Sequence, residues 1–152
     1  MSLTLTSCLE SAERAETRVV DFSQQSGCSD RQLHEIGLAV REAVANAVLH
    51  GNRCDSKKKV HLKAAVQQGV LEIWIQDEGE GFDFLCVDTS FPEEPRSVRQ
   101  RGYVLICRVA TSLEFNERGN RVTVLVDAGA RLQDILASGS SEGAAGSMAE
   151  AG

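Results

Sequence analysis

Arg41-Glu42-Ala43-Val44-Ala45-Asn46-Ala47-Val48-Leu49-His50-Gly51-Asn52 is the stretch on which the fold turns, and Asp77-Glu78-Gly79-Glu80-Gly81 follows it about twenty-five residues later. Residues four apart lie on one side of a helix, so Glu42, Asn46 and His50 form a polar row among alanines too small to cover it. A carboxylate and a carboxamide on successive turns can face a polar ligand and its metal. On the same helix Leu33, Ile36, Gly37, Val40, Val44, Ala47 and Val48 trace the apolar stripe that a core requires. Ser29 with Gln32 reads as a capping box at its start, and Gly51 is expected to end it as a left-handed cap.

Outward from this helix, the hydrophobic period changes. Val60, Leu62, Ala64 and Val66 alternate with polar or small residues, as do Leu71, Ile73 and Ile75, and Gln67-Gln68-Gly69 joins the two strands as a hairpin. Strand parity places Asp77 on the face of Leu71, Ile73 and Ile75, so its carboxylate is aimed toward the core side. Upstream, Ser2 to Ser7 alternates as an edge strand, and Leu9 to Gln25 has helical spacing with a stop at Ser26-Gly27.

Downstream, Glu78 to about Arg99 is an irregular run with Gly79, Gly81, Pro92 and Pro95, the length of a lid. A helix is expected over Gln100 to Ala110. Leu113 to Phe115 and Val122 to Val126 then form a hairpin around Arg118-Gly119-Asn120, followed by a short helix over Ala130 to Leu136. The tail from Ser138 is too poor in apolar residues to order itself. The expected organisation is one domain over 1–137 and a disordered tail over 138–152. Its fold class is α+β: a two-layer sandwich with a mixed, mostly antiparallel sheet and helices on one face.

Composition narrows the function classes. A chain of 152 residues can bury one substantial core. With 16 basic against 22 acidic residues, the net charge of −6 argues against a duplex nucleic-acid binder and for a protein or small-molecule partner. No secretory leader or membrane-length apolar run is present, so a cytoplasmic protein is expected. The five cysteines lack any C-x-x-C pair and read as reduced thiols. The histidines lack zinc spacing.

Glu42-x-x-x-Asn46, Asp77-x-Gly79-x-Gly81 and Arg101-Gly102 occur in the order of the GHKL ATPases, the histidine-kinase-like superfamily. The phrases "EAVANAVLHGN" and "DEGEGFD" are most similar to its anti-sigma-factor serine/threonine kinases, over roughly residues 2 to 127. The resemblance implies that Asn46 coordinates Mg2+ bridging the phosphates of ATP and that Glu42 is the general base toward an attacking hydroxyl. It implies that Asp77 accepts a hydrogen bond from the adenine amino group, with Gly79 and Gly81 letting the backbone approach the base. Arg101 and Gly102 would receive phosphate charge at the second glycine box. Val104 stands where that box has a further glycine, a departure that bears on lid closure and turnover more than on adenine binding. His50 is a candidate phosphate-side contact and Thr123 a candidate water-mediated contact to adenine.

The resemblance further implies a kinase that sequesters a sigma factor and phosphorylates a serine or threonine of a small anti-anti-sigma (STAS-type) antagonist. The competing expectation is a non-catalytic, nucleotide-dependent anti-sigma module. A sensor histidine kinase fits less well, because no helix pair carries a phosphoacceptor histidine. Trp74, opposite Asp77 by parity, is a candidate contact for a partner or a second copy in a homodimer.

Overall fold

The computed structural model describes residues 1–81, 106–107 and 110–128. The chain begins with β1 (Ser2–Thr6), α1 (Glu10–Gln25) and α2 (Asp30–Asn46), which runs on into a π turn (Ala47–Gly51). β2 (Lys59–Gln67) and β3 (Val70–Asp77) follow, and then β4 (Ser112–Phe115) and β5 (Arg121–Asp127). They form one sheet in the order β1-β2-β3-β5-β4. The four pairings among the described residues are antiparallel. The α+β class expected from the sequence holds.

Periodicity decides which side of each element is covered. Leu71, Ile73, Ile75 and Asp77 of β3 are buried while Glu72 is exposed and Trp74 half-buried. Val122, Val124 and Val126 of β5 follow the same parity. Against this face pack Ala12, Ala15 and Val19 of α1 and Ile36, Val40 and Val44 of α2, all in one core. Each fully buried valine, leucine or isoleucine contributes roughly 1.5–3 kcal/mol relative to exposure, so this stripe is what keeps α2 fixed on the sheet.

The local signals act as expected at the start of α2. Ser29 N–H donates to Gln32 Oε1 at 2.9 Å and Gln32 N–H to Ser29 Oγ at 3.4 Å, a complete capping box. Gln32 Nε2 also donates to Asp127 O at 2.6 Å, tying the helix to the end of β5. The β2–β3 hairpin closes through Gln68 and Gly69 at φ 52° and 79°, both in the left-handed region that two-residue hairpin turns use.

The far end of α2 departs from expectation. Gly51 is not a left-handed cap: the α-helix passes into a π turn, with Asn52 N–H donating to Ala47 O at 2.8 Å. The left-handed residues are instead Arg53 and Cys54, at φ 55° and 57°. Non-glycine residues hold that conformation at a cost of about 1 kcal/mol or more each, so the surrounding contacts must impose it.

Residues 106–107 are helical within the segment expected as a third helix, and Ile106 is fully buried in the core. Ala110, the expected end of that helix, is not helical; residues 100–105 and 108–109, among them Arg101, Gly102 and Val104, most of the expected lid, the helix expected over 130–136 and the tail lie outside the described residues. Among the described residues no helix is long and apolar enough to cross a membrane.

Candidate functional site

The π turn sets the site's geometry. Its wider winding bends the Glu42, Asn46, His50 row between Asn46 and His50 and swings the end of α2 over the C-terminal end of β3. A cavity of about 220 Å³ lies there, lined by Asn46, His50 and Gly51 from the helix end, Asp77 and Gly81 after β3, and Asn120 before β5.

Asp77 is held on several sides. Its side chain is buried, and Oδ1 accepts from Gly79 N–H at 2.8 Å. Its backbone N–H donates to Asn120 O at 3.0 Å, and its carbonyl accepts from Asn120 Nδ2 at 3.0 Å. A Cβ on Gly51 would collide with the Asp77 carboxylate, and one on Gly79 with the Gly51 carbonyl. The two glycines are therefore the space into which this carboxylate fits. Gly81 has φ 84° and sits so close to Arg118 O that only glycine fits there.

Asn52 supplies the frame behind Asp77. It is fully buried, donates Nδ2 to Lys59 O at 2.9 Å and accepts from Glu78 N–H at 2.9 Å through Oδ1. The end of the π turn, the start of β2 and the peptide after Asp77 are thus joined by one carboxamide. Glu78 itself turns away from the cavity, with Oε1 3.1 Å from His61 Nε2 and Oε2 accepting from Lys59 N–H at 2.9 Å. The hydrogen bond from His61, then that from the Lys59 backbone, holds its carboxyl below the usual glutamate value.

Asn46 is the opposite case. It is buried in the cavity wall, and among the described residues its Nδ2 has no hydrogen-bond partner. An orphaned buried amide costs about 1–3 kcal/mol. A carboxamide oxygen is a hard ligand for a cation, which fits the magnesium role expected of Asn46. Among the described residues no cluster of three or more His, Cys, Asp or Glu side chains forms a metal cage. A magnesium ion here would be held by one amide and the ligand's own oxygens.

The expected site residues divide as follows. Asn46, His50, Asp77 and Gly81 line the cavity, whereas Gly79 lies behind Asp77 with its amide on the carboxylate. Glu42 is half-buried one turn before Asn46 and is not among the cavity-lining residues. Thr123 requires a correction. It pairs with Trp74 on the sheet face away from the helices, so any contact from it to this cavity would have to cross the sheet. Arg121 and Val122 are the β5 residues that line the cavity, Val122 as an apolar wall. Trp74 is covered on that other face by Lys63 Nζ at 4.9 Å and Arg121 Cζ at 5.7 Å from its ring centre.

Sequence reasoning missed Asn52, Asn120, Arg53 and Phe115, of which the last three line the cavity. Asn52 belonged to the quoted stretch, but nothing along one dimension separates a buried clamp from a helix-end asparagine. Arg53 carries a long contact to Glu80 at 3.5 Å between two exposed side chains.

Residues 5–126 match the family described as histidine kinase-like ATPase domain. The chain is similar to the anti-sigma F factor of Clostridium perfringens (strain SM101 / Type A), 32% identical over 117 residues, which cover 74% of this chain and 82% of that protein. It is similar also to the anti-sigma F factor of Oceanobacillus iheyensis, 33% identical over 119 residues, 75% of this chain and 80% of that one. Among solved structures, the histidine kinase domain from the Erythrobacter litoralis EL346 blue-light activated histidine kinase superposes with a TM-score of 0.50 at 23% identity over 69% of this chain. Another structure of that kinase gives 0.53 at 22% identity over 70%. The chain spans 48% and 33% of those two chains' lengths, and at such identity the likeness concerns fold alone.

Proposed function

The chain belongs to the histidine kinase-like ATPase domain family, and from that premise we propose that it is an ATP-binding anti-sigma factor with protein serine/threonine kinase activity, acting in the cytoplasm. The observation that carries the nucleotide reading is the buried Asp77 carboxylate, fixed by Gly79 N–H and by Asn120 at one end of a cavity whose other wall holds the orphaned Asn46 amide. A buried, immobile carboxylate that accepts hydrogen bonds selects an exocyclic amino group over a carbonyl oxygen, and so adenine over guanine at that position. The anti-sigma reading draws support from the two similar anti-sigma F factors, which this chain matches over most of their length.

In this reading Asn46 holds Mg2+, which when bound neutralises charge on the phosphates, and His50 lies on the phosphate side. Arg101 and Gly102 would add positive charge and backbone donors there. Glu42 accepts the proton of the substrate hydroxyl as that oxygen forms its bond to the terminal phosphorus and the bond to the ADP oxygen breaks. The substrate is a serine or threonine of a small anti-anti-sigma protein, and a sigma factor is the sequestered partner.

The test is incubation of the full chain with magnesium ATP and the cognate antagonist, followed by mass measurement of the antagonist. One added phosphate is expected, and Glu42→Gln should abolish it while sparing ATP affinity in calorimetry. A second reading, a nucleotide-dependent anti-sigma module without turnover, is favoured by one observation: Glu42 does not line the cavity. An antagonist that stays unmodified beside clear ATP binding selects that reading. No ATP heat at all removes both.

A further inference from the structure

We propose that Asn120, braced by Asn116, is the positioning residue that sets how Asp77 meets the purine, an inference that rests on reading the cavity as an adenine site. Asp77 is the last residue of β3, and the pairing of β3 with β5 ends one residue earlier, at Gln76 opposite Arg121. The carboxylate that faces the ligand is therefore carried by a residue beyond the regular ladder on that side. Asn120 extends the ladder by accepting Asp77 N–H at 3.0 Å, and its side chain then adds a bond no strand backbone would supply, Nδ2 to Asp77 O at 3.0 Å. With N–H and C=O both tied to one residue, the two peptide planes flanking the Asp77 Cα are fixed, and with them the direction of its side chain.

A role confined to closing the β4–β5 turn does not account for this bond. The turn is already closed by Asn116, whose Oδ1 accepts from Asn120 N–H and Arg121 N–H at 3.0 Å each while Gly119 N–H donates to Asn116 O at 2.8 Å. Asn116 Nδ2 then donates to Asn120 Oδ1 at 2.8 Å, which orients the Asn120 amide with its donor end toward Asp77. Asn120 is buried and itself lines the cavity. Recognition groups lose selectivity when displaced by about 0.5 Å, which is the tolerance such a brace maintains.

The experiment compares ATP with purine riboside triphosphate, the same ligand without the 6-amino group, by calorimetry on the full chain and on Asn120→Ala and Asn116→Ala. The wild type should favour ATP by about tenfold or more, the worth of one hydrogen bond to a charged acceptor. Asn120→Ala should bring ATP down to nearly the affinity of purine riboside triphosphate while the latter changes by less than about twofold, since only the contact to the amino group has been misaligned. Asn116→Ala should erode the preference in the same direction by about two- to threefold, and it decides the matter if Asn120→Ala does not fold. Equal losses on both ligands, or an undiminished preference in a folded variant, overturn the positioning role. A wild type without preference overturns instead the adenine reading on which it rests.

Discussion

The two ends of the cavity are built on opposite principles. Around Asp77 the protein completes nearly every bond itself: Gly79 N–H on the carboxylate, Asn120 on both backbone groups, Asn52 on the next peptide, and Gly51 and Gly79 shaped to the carboxylate's volume. Around Asn46 a buried amide is left without a partner among the described residues, Glu42 stands half-exposed, and the helix relaxes into a π turn. A group that reads identity gains from being immobile before the ligand arrives. A group that gathers a metal and phosphates must keep valences open for them. The difference teaches that preorganisation and incompleteness are both functional states of a site, and it makes predictions of opposite sign for chemically similar residues.

The largest expected effect is at Gly51. Gly51→Ala places a methyl group in the volume of the Asp77 carboxylate, which can leave only by giving up its bond to Gly79. Overpacking of this kind costs about 3 kcal/mol, or roughly 10 °C in Tm for a chain of this size. Nucleotide affinity should fall by about a hundredfold or more, since Asp77, the proposed base contact, is displaced along with the helix end. A variant that melts lower yet binds ATP normally would show that the adenine end tolerates movement, and the comparison would lose its first half.

Next come two asparagines that the contrast separates. Asn52→Ala removes the partner of the part-buried Lys59 O and Glu78 N–H and should cost about 2 kcal/mol, measured by urea unfolding without ligand. Asn46→Ala removes an amide end that has no partner, so the ligand-free protein should be unchanged or slightly more stable, while magnesium-dependent ATP affinity collapses. A stabilised but non-binding protein is the signature of a residue kept for its ligand. If Asn46→Ala instead destabilises as much as Asn52→Ala, the amide is structural and the phosphate end is as complete as the adenine end.

Much of the placement of Asp77 was legible because period fixes direction. The alternation of β3 alone placed Asp77 on the buried face, and helical spacing put Asn46 in one polar row with Glu42 and His50. Two kinds of feature stayed hidden. Gly51 was expected to serve conformation and serves volume instead, because a close approach between distant segments leaves no trace in either segment. The π turn and the left-handed Arg53 and Cys54 were equally invisible, since no residue type marks them. Thr123 failed for a different reason. Its parity was available from Val122, Val124 and Val126, and the resemblance, which brings residue types but not faces, outweighed it.

The smallest effect concerns Glu78, which adjoins Asp77 but faces His61 and Lys59. Its carboxyl is held below the usual glutamate value, first by the His61 hydrogen bond and then by Lys59 N–H. A carboxylate whose folded value is depressed adds stability that is present above its unfolded value and lost as pH falls through the folded one. Urea unfolding should therefore show the wild type losing slightly more stability than Glu78→Gln between about pH 5 and pH 3, by less than about 1 kcal/mol because both partners are well exposed. At neutral pH the same substitution should leave ATP affinity within about twofold, since Asn52 holds the Glu78 backbone whatever its side chain. A larger loss of affinity would mean that the adenine end extends through Glu78 to β2, and that its rigidity is set by charge as well as by the two asparagines.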